Sequence, residues 1–297
     1  MRKISAIAVY VILTASVLYS TVKANFLWKV SGADGKEKVY LLGSIHIVPD
    51  DVYPLSKKIN DAYESSGFVV VEADVNSIDQ AEIQKLMIEK GMYSDGGSLS
   101  DDLNEDQVKK LEKALKKTGI LGFEQVKMMK PWLIALTVPQ LIILKSGLKA
   151  DNGIDMHFLK KASKDKKRIL ELESADFQLD LLSSFSDDLQ IKFLESTLDE
   201  LDTFKEEYDS MVKAWKDDNV AKMEKIVNDE YDENPGLKDI YRKLVYDRNV
   251  SMTSKIDGYM KDKRKDKFFV IVGAAHLIDK DGIVKMLEKK GYKVQKM

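Results

Sequence analysis

Short apolar runs alternate along this chain with longer stretches of helical periodicity. Phe26–Val30 and Val39–Ile45 read as two strands joined around a turn at Asp34-Gly35. Phe68-Val69-Val70-Val71 ends at Glu72, Arg168–Leu172 ends at Glu173, and Phe268–Gly273 runs on into His276. Such runs, rich in Val, Ile and Phe with no polar face, predict strands buried on both sides. Between them Ile78–Lys90 and Glu105–Lys117 are amphipathic with a helical period. Trp132–Leu144 reads as an apolar core helix carrying Pro139, too short for a membrane span, and 176–262 is helix-rich and highly charged. Gly282–Lys290 and Tyr292–Val294 read as a closing helix and a short last strand. The pattern predicts an α/β fold, a central mixed, largely parallel sheet with flanking helices. It also predicts one domain over residues 25–297, with large helical insertions at about 77–165 and 176–262.

The first 24 residues differ in kind. Arg2 and Lys3 precede the apolar stretch Ile4–Leu18, and Val22-Lys23-Ala24 offers small residues before Asn25, the pattern of a cleaved export signal. The other reading is a retained anchor, with the membrane met only through this N-terminal segment if it is not cleaved. Either way the expected location is extracytoplasmic, periplasmic or secreted. Cleavage would make the remainder more acidic by three charges, those of Arg2, Lys3 and Lys23.

Composition narrows the function classes. Lys+Arg 47 against Asp+Glu 49 gives a net charge of -2, so no basic stripe dominates and nucleic acid is excluded as a partner. Cysteine is absent, and a domain of 297 residues has enough core to need no disulfide. Only three histidines are present, which makes their positions informative.

Two of the three follow strand-like runs, each with glycine three residues earlier: Gly43-Ser44-Ile45-His46 and Gly273-Ala274-Ala275-His276. In open α/β sheets ligands bind beyond the carboxyl ends of the strands. Small residues at such turns let backbone approach a ligand, and Ser44 is the candidate substrate contact there. Glu72 and Glu173 end the other two runs, where a buried carboxylate requires a partner such as a metal or an imidazolium. Arg248 falls at the centre of the stripe Tyr241, Val245, Met252, Ile256 and Tyr259, so it must pair with an acid, satisfy carbonyls or reach a bound anion. Asp247 projects to the opposite, wet face. His157 sits beside the Ile154/Phe158 stripe at a helix start, a boundary position that suits substrate contact better than direct catalysis.

These segments carry a family resemblance. Leu41–His46 and Val272–Leu277 resemble the paired Gly-x-x-His motifs of the TraB/GumN family, which is related to the Tiki proteins and, more remotely, to erythromycin esterase and the ChaN-like iron-haem binding proteins. Gly153–Phe158, Leu172–Gln178 and Tyr246-Asp247-Arg248-Asn249 resemble the family's middle motifs in the same order, so the likeness covers nearly all of the chain after residue 24. Asp247 stands where the family favours Glu, and its outward projection leaves the site unaffected. The resemblance implies a sheet-based fold with both histidines and Glu72 in one cleft, and, by analogy with the Tiki proteins, metal-dependent peptide hydrolysis.

On that reading His46, Glu72 and His276 are three ligands of a divalent metal (Mn, Co or Zn), with a position left for water. Glu173 is a general base or fourth ligand. Arg248, with Asn249 beside it, stabilises an oxyanion or holds a substrate carboxylate. The substrate is a peptide or a small molecule. Two alternatives stand beside this: a metal-free hydrolase with His46, oriented by Glu72, as general base, and an exported protein that holds a peptide, metal or haem without turning it over.

Overall fold

The computed structural model describes residues 26–297 apart from 76, 78, 79, 95, 150 and 233–236. The export-signal reading of residues 1–24 therefore lies outside the described residues. Six strands form one sheet: β1 (Leu27–Ser31), β2 (Glu37–Ser44), β3 (Phe68–Val71), β4 (Arg168–Glu171), β5 (Phe268–Gly273) and β6 (Lys293–Lys296). Their order is β4-β3-β5-β2-β1-β6. The four strands from β4 to β2 are parallel, and β1 and β6 add antiparallel pairings at one edge. This is the mixed, largely parallel sheet with flanking helices that the apolar runs predict. The last strand is displaced toward the C-terminus, at Lys293–Lys296 rather than Tyr292–Val294, because its pairing with β1 fixes it and it has no apolar run of its own.

Consecutive residues Phe268, Phe269, Val270, Ile271 and Val272 are all buried, as are Phe68 to Val71. Successive side chains of a strand point to opposite faces, so both faces of the sheet's centre are covered. The covering helices are long excursions between strands. Between β3 and β4 run Gln80–Gly91, Glu105–Thr118, Pro131–Lys145 and Ile154–Asp165, and between β4 and β5 run Ala175–Ser183, Asp187–Glu200, Phe204–Lys216, Val220–Asp232 and Asp247–Lys261. The two excursions meet in a second core, where Leu111, Leu115, Ile134, Val138, Leu194 and Leu198 pack together. No helix among the described residues is long and apolar enough to cross a membrane.

The helix Phe204–Lys216 also reaches back to the sheet. Its Trp215 donates Nε1–H to the Gly43 carbonyl at 2.7 Å, and its Tyr208 hydroxyl donates to the Ile47 carbonyl at 3.0 Å. Both acceptors bracket His46.

Candidate functional site at the carboxyl ends of the parallel strands

Parallel strands in register deliver their ends to one place. Ser44 pairs with Gly273 across β2 and β5, and Val71 with Glu171 across β3 and β4. The pairing of β3 and β4 continues past the strands, with Glu173 N–H donating to the Glu72 carbonyl at 2.7 Å. Glu173, Glu72, His276 and His46 thus follow four adjacent strands in the order β4-β3-β5-β2. The glycine of the His46 turn serves packing, whereas a Cβ on Gly273 would meet nothing closer than 3.5 Å. A Cβ on Gly43 would stand 2.5 Å from the Phe26 ring, so the space is filled by the chain itself rather than by a ligand. A Cβ on Gly153 would stand 2.1 Å from the His46 carbonyl oxygen, so the Ile154–Asp165 helix can abut the His46 turn only through glycine.

Arg248 ties the two carboxylates together. Its Nη2 donates to Glu72 Oε2 at 2.6 Å and to Glu173 Oε2 at 2.7 Å, and its Nε donates to both Glu173 oxygens at 3.0 and 3.1 Å. Its Nη1 donates to the Leu244 carbonyl at 3.2 Å, within the π-helical turn Arg242–Tyr246 that leads into Asp247–Lys261. Gln178 adds Nε2 to Glu173 Oε2 at 3.1 Å. The remaining Glu72 oxygen, Oε1, accepts the Gly273 N–H at 2.6 Å. Burial by itself would lift the Glu72 carboxyl. The charges of His276, Arg248 and His46 and the Gly273 N–H outweigh it and hold the group at about 2. Of these charges those of Arg248 and His46 persist at neutral pH, whereas burial pushes His276 below its ordinary value and leaves it neutral.

Each histidine is anchored by one nitrogen. His276, buried, has Nδ1 at 2.7 Å from Asn249 Oδ1. Asn249 donates its Nδ2 to the Asp281 carbonyl at 2.8 Å, which fixes Oδ1 toward the ring and places the imidazole proton on Nδ1. Nε2 is then an open lone pair, 3.9 Å from Glu72 Oε1. His46 has Nδ1 at 3.1 Å from Asp155 Oδ1, and its ring is 70% exposed. The Asp155 hydrogen bond raises His46 to about 9, a shift that access to water tempers.

The model of the TraB/PrgY/gumN family matches residues 26–296. The chain belongs to the TraB/PrgY/gumN family. Among its relatives is "Uncharacterized protein YbaP" of Escherichia coli (strain K12), 26% identical over 253 residues, covering 85% of this chain and 89% of the relative. The protein of the same name from Shigella flexneri matches to the same extent. No solved structure matches.

In this TraB/PrgY/gumN member a cavity of about 240 Å³ opens at the strand ends, lined on its polar side by Ser44, His46, Glu72, Asp155, Gln178 and Arg248. Ser44 Oγ is buried and has no hydrogen-bond partner. Asn249 is fully buried and holds His276, and His157 packs between Tyr53 and Phe158, with ring centroids at 4.9 and 5.0 Å, away from the cavity lining. Asp247 is exposed. The sequence reading missed Asp155 and Gln178, although both stand inside the quoted middle motifs. Asp155 looks like a routine acid in the first turn of a helix, and only the Gly153 contact with His46 shows what it faces.

The two histidines share one feature with metal ligands. In both imidazoles Nδ1 is held by a second residue and Nε2 is left free, the arrangement that orients metal-ligating histidines. The spacing is looser, for among the described residues no group of three or more His, Asp or Glu side chains stands close enough to hold an ion.

Proposed function

We propose that this protein is a metal-dependent hydrolase of peptide bonds, working outside the cytoplasm. The observation that carries the reading is the pair of anchored histidines, each with Nδ1 committed to a fixed oxygen and Nε2 open, on adjacent strands beside an ionised glutamate. His46, Glu72 and His276 would hold the cation, which when bound lowers the pKa of a water toward about 7. Asp155 and Asn249 orient the two rings. Arg248 acts chiefly as a positioning residue, since Nε and Nη2 are given to Glu72 and Glu173. Hydrolysis consumes one water, the acyl carbon taking the hydroxide and the leaving nitrogen the proton. The extracytoplasmic location rests on the sequence of residues 1–24.

A second reading draws on the His46–Asp155 pair alone. A carboxylate that fixes Nδ1–H leaves Nε2, once its own proton is lost, to activate water directly, without a metal.

One experiment separates them: elemental analysis of residues 25–297, purified without chelator or tag histidines, beside a His46→Ala/His276→Ala variant. Near-stoichiometric Mn, Co, Zn or Fe, lost in a variant that stays folded, is the expected result. Hydrolysis that needs His46 but survives chelation overturns the metal reading in favour of the second. Hydrolysis indifferent to His46→Ala overturns both.

A further inference from the structure

The cavity also has an apolar lining. Val71, Val75, Leu159, Leu181, Leu182 and Leu244 line it together with the charged residues. Leu181, Leu182 and Leu244 are only partly buried, and they belong to a small cluster around Phe185, Leu237 and Ile240 that is separate from the main core. Val75, part of this lining, is 38% exposed.

The polar lining contains an unmet demand. Ser44 Oγ is buried without a partner at the end of β2, beside Gly273 and two residues from His46. An unsatisfied buried hydroxyl is destabilising, a cost removed when a ligand supplies the partner. Arg248 is engaged with Glu72, Glu173 and the Leu244 carbonyl, so it offers little to an anionic substrate. An apolar lining and one unmet hydroxyl beside the histidines suit an extended polypeptide with an aliphatic side chain.

We propose that the site selects a polypeptide segment whose Val, Ile or Leu side chain, next to the bond to be cut, fills the space between Leu181, Leu182 and Leu244 while Ser44 hydrogen-bonds the segment's main chain. This specificity rests on the hydrolase reading above. It assigns Leu244 and Ser44 to substrate choice.

The test offers a set of synthetic decapeptides of randomised sequence to the full chain, in parallel arms with Mn, Co or Zn, and reads the cut products by mass spectrometry. Wild type, His46→Ala, Ser44→Ala and Leu244→Asp are compared. Cutting that is lost in His46→Ala, with Val, Ile and Leu enriched at one position beside the cut bond, is expected. Leu244→Asp should move that preference toward Lys and Arg. Ser44→Ala should raise KM about tenfold with Tm unchanged or higher, because the unpaired hydroxyl is gone. A merely structural Ser44 would instead lower Tm and leave KM alone. Cutting that needs His46 but shows no aliphatic enrichment, or an enrichment indifferent to Leu244→Asp, overturns the specificity while the hydrolase reading stands. No cutting by wild type in any arm, or cutting unchanged in His46→Ala, overturns the hydrolase reading and the specificity with it.

Discussion

Arg248 lies between Glu72 and Glu173 and donates one nitrogen, Nη2, to both, at 2.6 and 2.7 Å. The side chains of the two acids are 12% and 2% exposed, so the guanidinium is what keeps two neighbouring buried carboxylates compatible with folding. Breaking such a cluster from one side costs about 3–5 kcal/mol, because a charge is left buried and unpaired. Arg248→Met should therefore lower unfolding free energy by about that much in urea titrations. Arg248→Lys should recover only part of it, since an ammonium cannot fork across two acids. Arg248→Met with unchanged stability would contradict this account of the cluster.

Asp155→Asn keeps the shape of the His46 contact and removes its charge. With His46 largely exposed, the fold should barely notice, and Tm should stay within about 2 °C, as for surface substitutions in general. Metal affinity should fall about 10–100-fold, as it does when the residue orienting a ligating histidine is lost. Calorimetric titration with Mn, Co or Zn, beside a melting curve, reads both quantities.

Gly153→Ala places a methyl group 2.1 Å from the His46 carbonyl oxygen, so backbone must move. The expected outcome is a destabilisation of about 1–3 kcal/mol together with loss of activity, because the displaced element carries His46. Gly258→Ala is the matched control: nothing lies within 4 Å of a Cβ there, and alanine favours the helix it occupies. Crystal structures or heteronuclear NMR spectra of the two variants would show whether the shift is confined to the His46 turn.

Acid should weaken the fold at defined points. Lys29, Lys267 and Tyr40 hold Glu37 at about 2, below its ordinary 4.5, and Tyr292, Lys261 and Lys290 hold Asp257 at about 2, below 3.8. A folded-state value below the unfolded one contributes stability above the unfolded value, and that stability is lost as pH falls toward the folded one. The loss should therefore run from roughly pH 5 down to 2, worth on the order of 1 kcal/mol for each group after screening by water. Thermal melts across that range with Glu37→Gln should show a shallower decline than wild type, and an equally steep decline would exclude Glu37 as a source.

Much of the architecture is legible in the sequence because its central strands are short, doubly buried and rich in β-branched and aromatic residues, so Phe68–Val71 and Phe268–Gly273 have no competing helical reading. The polar residues that end them, Glu72 and His276, stand out for the same reason: they interrupt an apolar run. The partnerships are less legible. Helical projection puts Arg248 on an apolar stripe and so requires a partner, but nothing local says that the partners are two acids from other strands. Projection is equally silent on Asp155, whose contact with His46 spans more than a hundred residues. Gly43 could not be read either, since room for a ligand and room for the Phe26 ring demand the same residue.

The hydrogen bonds from Trp215 and Tyr208 to the Gly43 and Ile47 carbonyls join the helical excursion before β5 to the backbone on either side of His46. That excursion also supplies Gln178, Leu181, Leu182, Leu244 and Arg248 to the cavity. Residues that choose a ligand and residues that clamp the reactive turn are therefore borne by one continuous stretch of chain. Transplanting this stretch between relatives to alter preference would disturb the histidine's mooring at the same time. Recombination within the family should succeed only when the turn and its tryptophan clamp travel together.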